Sequence, residues 1–395
     1  MREPRKERFP ALLVVGVLLL AFGLMWNARG SFSLLYLAFQ REYGWSPGLS
    51  TLGYAFSWLA VIFLTPIAAA WVDKAGPRRA VVMGLGCTAL LYGALALVRE
   101  VWHYVLAFGV LQAMAQALVA TGSTAYLARR FPRRRGSAIG GMAVGYSLGP
   151  VLILPVLGWT MGALGLRSAL VLMVLPPFLL LPLVALLDPP PAPQARQAGA
   201  PVGALREAVG TLAFWSLAVL YVSGVVAYNI VLVHQAAAAE GLGSTASWIV
   251  MALTGSFAHS ALGSLAGGSL SDRIGRVPVW LGGSLLSALA VGLLALVPPG
   301  AGGGPLAAYA VLLGLGTGAR LALLGTLAAD LYAGPAFGRI YGVLQAIGAI
   351  GGAVGPLVAG FLRETSGSYQ VPFLVAGLAY LISGLAVLPL RRGLK

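Results

Sequence analysis

Charge is scarce in this sequence. Charged residues fill 9% of its 395 positions, and the acidic ones number 11 against 26 Lys and Arg. With 59% hydrophobic residues, too little polar surface exists to enclose a water-soluble core of this length, which excludes an ordinary soluble protein. Cysteine is nearly missing. Cys87 stands alone, so no internal disulfide forms, and its place in an apolar run suits a small packing residue. Three histidines, one thiol and acids at the edges of apolar runs supply neither a nucleophile and base nor a metal cluster, so no enzyme, metal or cofactor is expected. The chain has no Gly-Lys-Ser/Thr phosphate loop, which removes nucleotide hydrolysis as an energy source.

Long apolar runs are what it has instead. A membrane-spanning helix needs about twenty apolar residues, and that rule places spans 1 to 6 near 10–38, 47–71, 80–99, 102–128, 137–164 and 167–187. Spans 7 to 12 fall near 211–237, 245–271, 278–298, 305–331, 339–362 and 371–390. The first run, from Ala11, passes twenty residues without a small-residue cleavage site, so it reads as a retained span. The expected fold is an all-α polytopic membrane protein, with twelve helices in two pseudo-symmetric six-helix bundles. The first bundle covers 1–188, a Pro- and Ala-rich cytoplasmic linker covers 189–207, and the second bundle covers 208–395.

Lys and Arg set the orientation, because short cytoplasmic loops collect them. Arg2, Arg5, Lys6 and Arg8 precede span 1, Arg129 to Arg135 follow span 4, and Arg391, Arg392 and Lys395 close the chain. Both termini are therefore expected in the cytoplasm. The net charge of +15 reflects this topology and contact with anionic headgroups of the bilayer, and gives no support to a nucleic-acid partner. Heavy use of Ala, Gly, Pro and Arg with few Lys suggests a GC-rich bacterial genome, hence a bacterial inner membrane.

The polar turn Gly268-Ser-Leu-Ser-Asp272-Arg273-Ile-Gly275-Arg276 lies between spans 8 and 9. An imperfect copy, Asp73-Lys74-Ala75-Gly76-Pro77-Arg78-Arg79, lies between spans 2 and 3, 199 positions earlier (272 − 73). Internal duplication of membrane halves marks secondary transporters, in which a central site opens alternately to each face. Gly145-x-x-x-Gly149-Pro150 in span 5 is echoed by Gly351-x-x-x-Gly355-Pro356 in span 11. Residues this small let helices approach closely, and Pro can bend them.

On these motifs the chain resembles the major facilitator superfamily, whose signature is the Gly-x-x-x-Asp-Arg-x-Gly-Arg turn. It is complete at Gly268 to Arg276 and degraded in the first half, where Ala69 and Lys74 replace Gly and Arg. Similar Gly-Pro motifs are associated with antiporters, though plain packing explains them as well. Within the superfamily the likeness is to the monocarboxylate porter and oxalate/formate exchanger branch. It rests on Ser31-Phe32-Ser33-Leu34-Leu35-Tyr36, Glu42-Tyr43-Gly44-Trp45-Ser46, Arg134 to Gly140, Gly165-Leu166-Arg167, Asp330-Leu331-Tyr332 and Phe337-Gly338-Arg339. Two features of the branch are missing. Its span 8 arginine, eight residues before the hinge Asp, is Ser264 here, and span 11 has no Lys of the oxalate exchangers.

The resemblance implies that spans 1, 4, 7 and 10 line a central cavity. Two basic residues fall inside spans, Arg29 in span 1 and Arg320 in span 10, and both lie on that set. An Arg near the bilayer centre costs at least about 3 kcal/mol, so it faces a cavity or a partner, unless it snorkels or bonds helix carbonyls. Guanidinium holds a carboxylate through two parallel hydrogen bonds. Arg29, Ser33 and Tyr36 share a face at i, i+4 and i+7, as do Gln112 and Gln116, while Tyr228 and Asn229 stand in span 7. These residues are substrate-binding candidates, and polar side chains of this kind also join helices. His259 and His234 are the candidates for proton coupling. The resemblance assigns a conformational gate to Asp73, Arg78, Gly268, Asp272, Arg273, Gly275 and Arg276, with Arg135 and Arg339 at the starts of spans 5 and 11.

The expectation is a monomeric secondary transporter of small organic anions, monocarboxylates foremost. It would work by alternating access, as a proton-linked symporter or an anion antiporter. The alternative is proton-coupled efflux of drugs or amphiphilic compounds. A cavity carrying two arginines disfavours cationic drugs.

Overall fold

The computed structural model describes residues 9–190, 203–298, 300–301, 303–332, 334 and 336–392. The basic residues before position 9, linker residues 191–202 and Lys395 lie outside the described residues. Among the described residues the chain is helical from end to end and contains no strand. Eleven segments are long and apolar enough to cross a membrane, and one of them, Arg135–Leu186, is 52 residues long. At about 1.5 Å per residue that is more than two bilayer crossings. Gly165 breaks it with φ 80 and ψ 167, so the segment holds two spans and the total is twelve.

Span 1 is two helices, Ala11–Gly30 and Phe32–Tyr43, separated at Ser31. Spans 2 and 3 are Pro47–Ala75 and Pro77–Ala96. Span 4, Val101–Arg130, contains a π-helical turn at Ala107–Leu111. Spans 5 and 6 occupy Arg135–Leu186 on either side of Gly165. Spans 7 to 12 are Leu212–Gly241, Ala246–Ile274, Arg276–Leu296, Gly304–Tyr332, Phe337–Ser366 and Gln370–Leu385. Large apolar side chains such as Phe63, Trp159 and Phe361 are more than half exposed. On a soluble protein such a surface would demand a partner, and here lipid covers it.

Four turns repeat the same device at the same interval. Gly44 and Gly243 (φ 66 and 80) follow spans 1 and 7, and Gly76 and Gly275 (φ 92 and 90) join spans 2–3 and 8–9. Each pair is 199 positions apart (243 − 44 and 275 − 76). Positive φ costs a glycine nothing, which lets a helix reverse direction in one residue.

By contact the chain forms two compact units. The first gathers the described residues of Met1–Ser31 and Ala60–Arg196, and the second those of Phe32–Leu59 and Gln197–Lys395. In the first unit, spans 1 and 5 meet through glycines: a Cβ on Gly149 would lie 2.2 Å from the Gly23 carbonyl, and one on Gly145 would lie 2.4 Å from that of Leu19. In the second unit Gly351 and Gly355 press span 11 onto the Val222 and Val226 carbonyls of span 7. Close packing therefore accounts for both Gly-Pro motifs. Span 10 is wedged between two neighbours. Gly314 and Gly318 face Ser256 and Ser260 of span 8, while Gly316 faces Gly283 and Ser287 of span 9. Without hydrophobic drive between helices in lipid, such backbone contact is what fixes their rotation.

Candidate functional site

In the first unit the polar site centres on Arg29. It is fully buried at the last turn of the first helix of span 1, and its Nε donates to Gln116 Oε1 at 2.9 Å. The π turn of span 4 ends immediately before Gln112, whose Nε2 donates to the Met25 carbonyl at 3.2 Å. Wide turns of this kind recur at functional sites because they re-aim the residues that follow. The structure thus brings Arg29, Gln112 and Gln116 together. It adds neighbours that sequence reading missed: Asn27 donates to the Tyr92 hydroxyl at 2.9 Å, and the Trp26 ring lies 4.5 Å from that of Tyr146, tilted by 31°. Asn27 stands two residues from Arg29, an offset that puts the two on different helix faces, so no sequence signal linked these neighbours to the site.

Ser33 and Tyr36 follow Arg29 in sequence but belong to the second unit, in a seam between residues 32–59 and spans 7 and 11. Ser33 Oγ accepts from the Ala236 N–H at 2.8 Å. The Tyr36 and Tyr369 hydroxyls are 3.2 Å apart, and the His234 ring stands edge-on to Tyr36 at 4.8 Å. His234 is completely buried. Its Nε2–H donates to the Pro356 carbonyl at 3.1 Å, and Nδ1 has no hydrogen-bond partner. Tyr369, in the loop before span 12, has its phenol pKa pushed up by burial, against the lowering pull of Tyr36 and of Arg363, whose guanidinium lies 5.1 Å above its ring. Asn229 is engaged by protein: its Oδ1 accepts from Tyr54 (2.6 Å) and Trp58 (3.1 Å), and its Nδ2 donates to the Val225 carbonyl. Glu364 accepts from the Gly48 N–H at 2.8 Å, at the start of span 2. Arg41 pairs with Glu240 nearby.

Arg320 also differs in its surroundings from the sequence expectation of an aqueous wall. It is 6% exposed, its guanidinium lies 4.8 Å from both the Trp280 and Tyr380 rings, and Nη2 donates to Ser383 Oγ at 3.0 Å. Spans 9 and 12 supply these groups, and the small residues Gly283 and Gly224 make the room. Cation–π contact in a desolvated setting offsets part of the cost of burying the charge. Tyr228 borders a small cavity between spans 7, 8 and 10. His259 is half-buried and its Nδ1 bonds the Gly255 carbonyl one turn back at 2.7 Å. Ser264, where the branch carries arginine, donates to the Gly318 carbonyl at 3.0 Å and serves helix packing.

At the hinges, Asp73 pairs with Arg129 at the end of span 4 (2.9 Å), and Arg78 donates to the Leu187 carbonyl at the end of span 6 (2.8 Å). In the second unit Arg276 bridges Asp272 (2.6 Å) and Asp330 at the end of span 10 (3.2 Å). Both hinges are thus tied to the fourth helix of their half, with the acid and base exchanged. Gly275 provides the turn, while Arg273, Arg135 and Arg339 are exposed and Gly268 sits within span 8.

A helical chain with twelve membrane crossings, duplicated hinges and buried polar clusters is a multi-pass membrane transport protein. A family model described as Major Facilitator Superfamily matches residues 17–243 and 230–395. Monocarboxylate transporter 11 of Homo sapiens is 31% identical over 402 residues, covering 95% of this chain and 81% of that protein. Monocarboxylate transporter 13 of Bos taurus is 29% identical over 344 residues, covering 84% and 79%. The structure of a bacterial homologue of the human lysosomal transporter Spinster superposes with a TM-score of 0.77 at 17% identity, covering 98% of each chain. The chain belongs to the major facilitator superfamily, and within it resembles the monocarboxylate transporters.

Proposed function

We propose that this transporter carries small organic anions, monocarboxylates foremost, by alternating access in a bacterial inner membrane, as a monomer with both termini in the cytoplasm. One observation carries the charge preference. Two arginines, Arg29 and Arg320, are buried inside spans, whereas all nine described acidic residues lie at span ends or in loops. Interior positive charge without interior acid favours an anionic passenger and disfavours lipophilic cations. The names of the related proteins point the same way. The second reading, efflux of amphiphiles, drew on the Gly-Pro motifs, whose glycines also serve close helix packing.

For coupling, His234 suits a proton carrier better than His259, because it is buried in the seam with Nδ1 free to accept. A charged imidazole there would face Tyr36 and Tyr369 with Arg363 just beyond, so protonation and seam opening go together. Anion exchange needs no such group. The seam would close the outer end, and the hinges of Asp73 and Asp272 would govern the cytoplasmic end.

The test is uptake into proteoliposomes of acetate, lactate and pyruvate, with and without an imposed proton gradient, beside a lipophilic cation. Saturable carboxylate uptake that Arg29→Gln reduces at least tenfold is expected. Uptake of the cation alone would overturn the proposal.

A further inference from the structure

Spans 3 and 6 of the first unit run side by side. Near one end they meet, where a Cβ on Gly93 would lie 3.9 Å from Val174 Cγ2. At the other end, beside the hinge between spans 2 and 3, they part. An open groove of about 320 Å³ lies there, lined by Arg78, Arg79, Val82 and Met83 of span 3 and Ala185 of span 6. That volume is enough for a small organic group, since such sites run from about 300 to 1,000 Å³.

The mouth of the groove is basic. Arg78 Nη1 donates to the Leu187 carbonyl at 2.8 Å, which fixes the guanidinium at the end of span 6 and engages one of its five N–H groups. Arg79 is exposed and has no hydrogen bond or ion pair to any described residue. No acidic residue lines the groove. Of the acids near this end, Asp73 is held by Arg129 at 2.9 Å, and Asp188 acts with Arg130 and Arg78 on the Tyr126 phenol of span 4. Positive charge therefore exceeds negative at the mouth, and two neighbouring guanidinium groups suit the oxygens of a phosphate.

Below the mouth the surface turns apolar. Arg79, Met83, Gly86 and Leu90 fall at i, i+4, i+7 and i+11, so they share one face of span 3. Met83 and Leu90 are exposed, and a Cβ on Gly86 would meet nothing within 4 Å. On span 6, Phe178 is exposed seven residues before Ala185, on the same helix face. The stretch from Arg79 to Leu90 is 11 residues (90 − 79), about 16 Å of helix, which matches half of a hydrocarbon core about 30 Å thick. A basic mouth and an apolar track one leaflet deep describe a molecule with an anionic head and an acyl tail.

We propose that this groove is a binding site for one anionic phospholipid. Its phosphate sits on Arg78 and Arg79, and one acyl chain lies along Met83, Gly86 and Leu90. The assignment holds whatever solute the transporter carries. The lipid would touch Arg78, one of the residues expected in the gate, and so would sit at the hinge of the first half. Free phosphate offers the arginines the same oxygens without a chain, and the experiment separates the two.

Purified protein in detergent is titrated with dioleoyl phosphatidylglycerol, dioleoyl phosphatidylcholine and sodium phosphate, following the melting temperature. The variants are Arg79→Gln, Gly86→Leu and, as a control, Arg99→Gln, which removes an exposed charge beyond the far end of span 3. Phosphatidylglycerol should stabilise the parent saturably and phosphatidylcholine should not. Arg79→Gln should raise the half-saturating phosphatidylglycerol fraction about fivefold, the share of one juxtamembrane arginine. Gly86→Leu should raise it as well, by filling the track, while Arg99→Gln leaves it unchanged. The lipid-free melting temperature of Gly86→Leu should not fall, because its side chain enters open space. Equal responses in the parent, Arg79→Gln and Gly86→Leu, or an equal loss in Arg99→Gln, would mean diffuse attraction to surface charge and overturn the site. Equal stabilisation by phosphatidylcholine would overturn the recognition of charge. Stabilisation by sodium phosphate that Arg79→Gln abolishes and Gly86→Leu leaves intact would make this an ion site and overturn the lipid. Arg79 is exposed and unpaired, so its variant decides the question even where Gly86→Leu folds poorly.

Discussion

Arg29 and His234 carry most of what the proposed function asks of single side chains. Arg29 ends a helix, and its Nε already meets Gln116. Arg29→Lys should therefore not rescue transport, because a point charge on a flexible stem replaces a planar fork. The measurement is carboxylate uptake in proteoliposomes, where Lys and Gln variants should fall together. For His234, replacement by Gln keeps a donor for the Pro356 carbonyl while removing the titrating ring. Uptake by His234→Gln should lose its dependence on an imposed proton gradient, whereas His259→Gln, whose ring only bonds its own helix, should retain it. Retained coupling in the first variant would rule His234 out as the proton carrier.

Elements meet through glycine wherever two spans touch closely. A Cβ on Gly318 would lie 2.1 Å from the Ser260 carbonyl, a backbone atom that cannot swing aside. Gly318→Val should cost about 1–3 kcal/mol, as overpacking does elsewhere, and lower the melting temperature of detergent-solubilised protein. The seam obeys different chemistry. Asn229 answers both Tyr54 and Trp58, so Asn229→Leu takes the acceptor from a buried hydroxyl and a half-buried indole, the first worth about 1–3 kcal/mol. The closed seam should then become the minor state, read as faster labelling of Ser33→Cys by a membrane-impermeant maleimide. Unaltered labelling would mean that other contacts, such as Glu364 with Gly48, hold the seam unaided.

Across the whole molecule the repeated hinges should tune the cycle without choosing the cargo. Asp272 has 71% of its side chain exposed, so its bridge to Arg276 contributes at most about 1 kcal/mol. Asp272→Asn should accordingly shift the conformational balance no more than about fivefold and slow uptake, with the order of preference among carboxylates unchanged. A changed order would place Asp272 at the substrate. Gly76→Ala and Gly275→Ala meet a steeper penalty, of order 1–3 kcal/mol, because a side chain resists φ near 90. Both substitutions should lower melting temperature by similar amounts if the two hinges are equivalent.

The sequence by itself determined the membrane location, the twelve crossings and the doubled hinge, because these follow from local quantities. Apolar length sets a span, positive φ demands Gly76 and Gly275, and basic loops set the expected orientation. The break at Gly165 fell between the two spans the sequence had separated. Only the tertiary structure decided which polar groups meet. Helical offsets put Arg29, Ser33 and Tyr36 on one face, yet the break at Ser31 sends Arg29 to Gln116 and the other two to span 7 and the loop before span 12. Membership of span 10 implied that Arg320 lines a cavity, but Gly283 and Gly224 let its head slip between Trp280 and Tyr380. The rotation of each helix about its axis is set by where glycines let backbones touch, and that is a property of pairs of spans far apart in the chain.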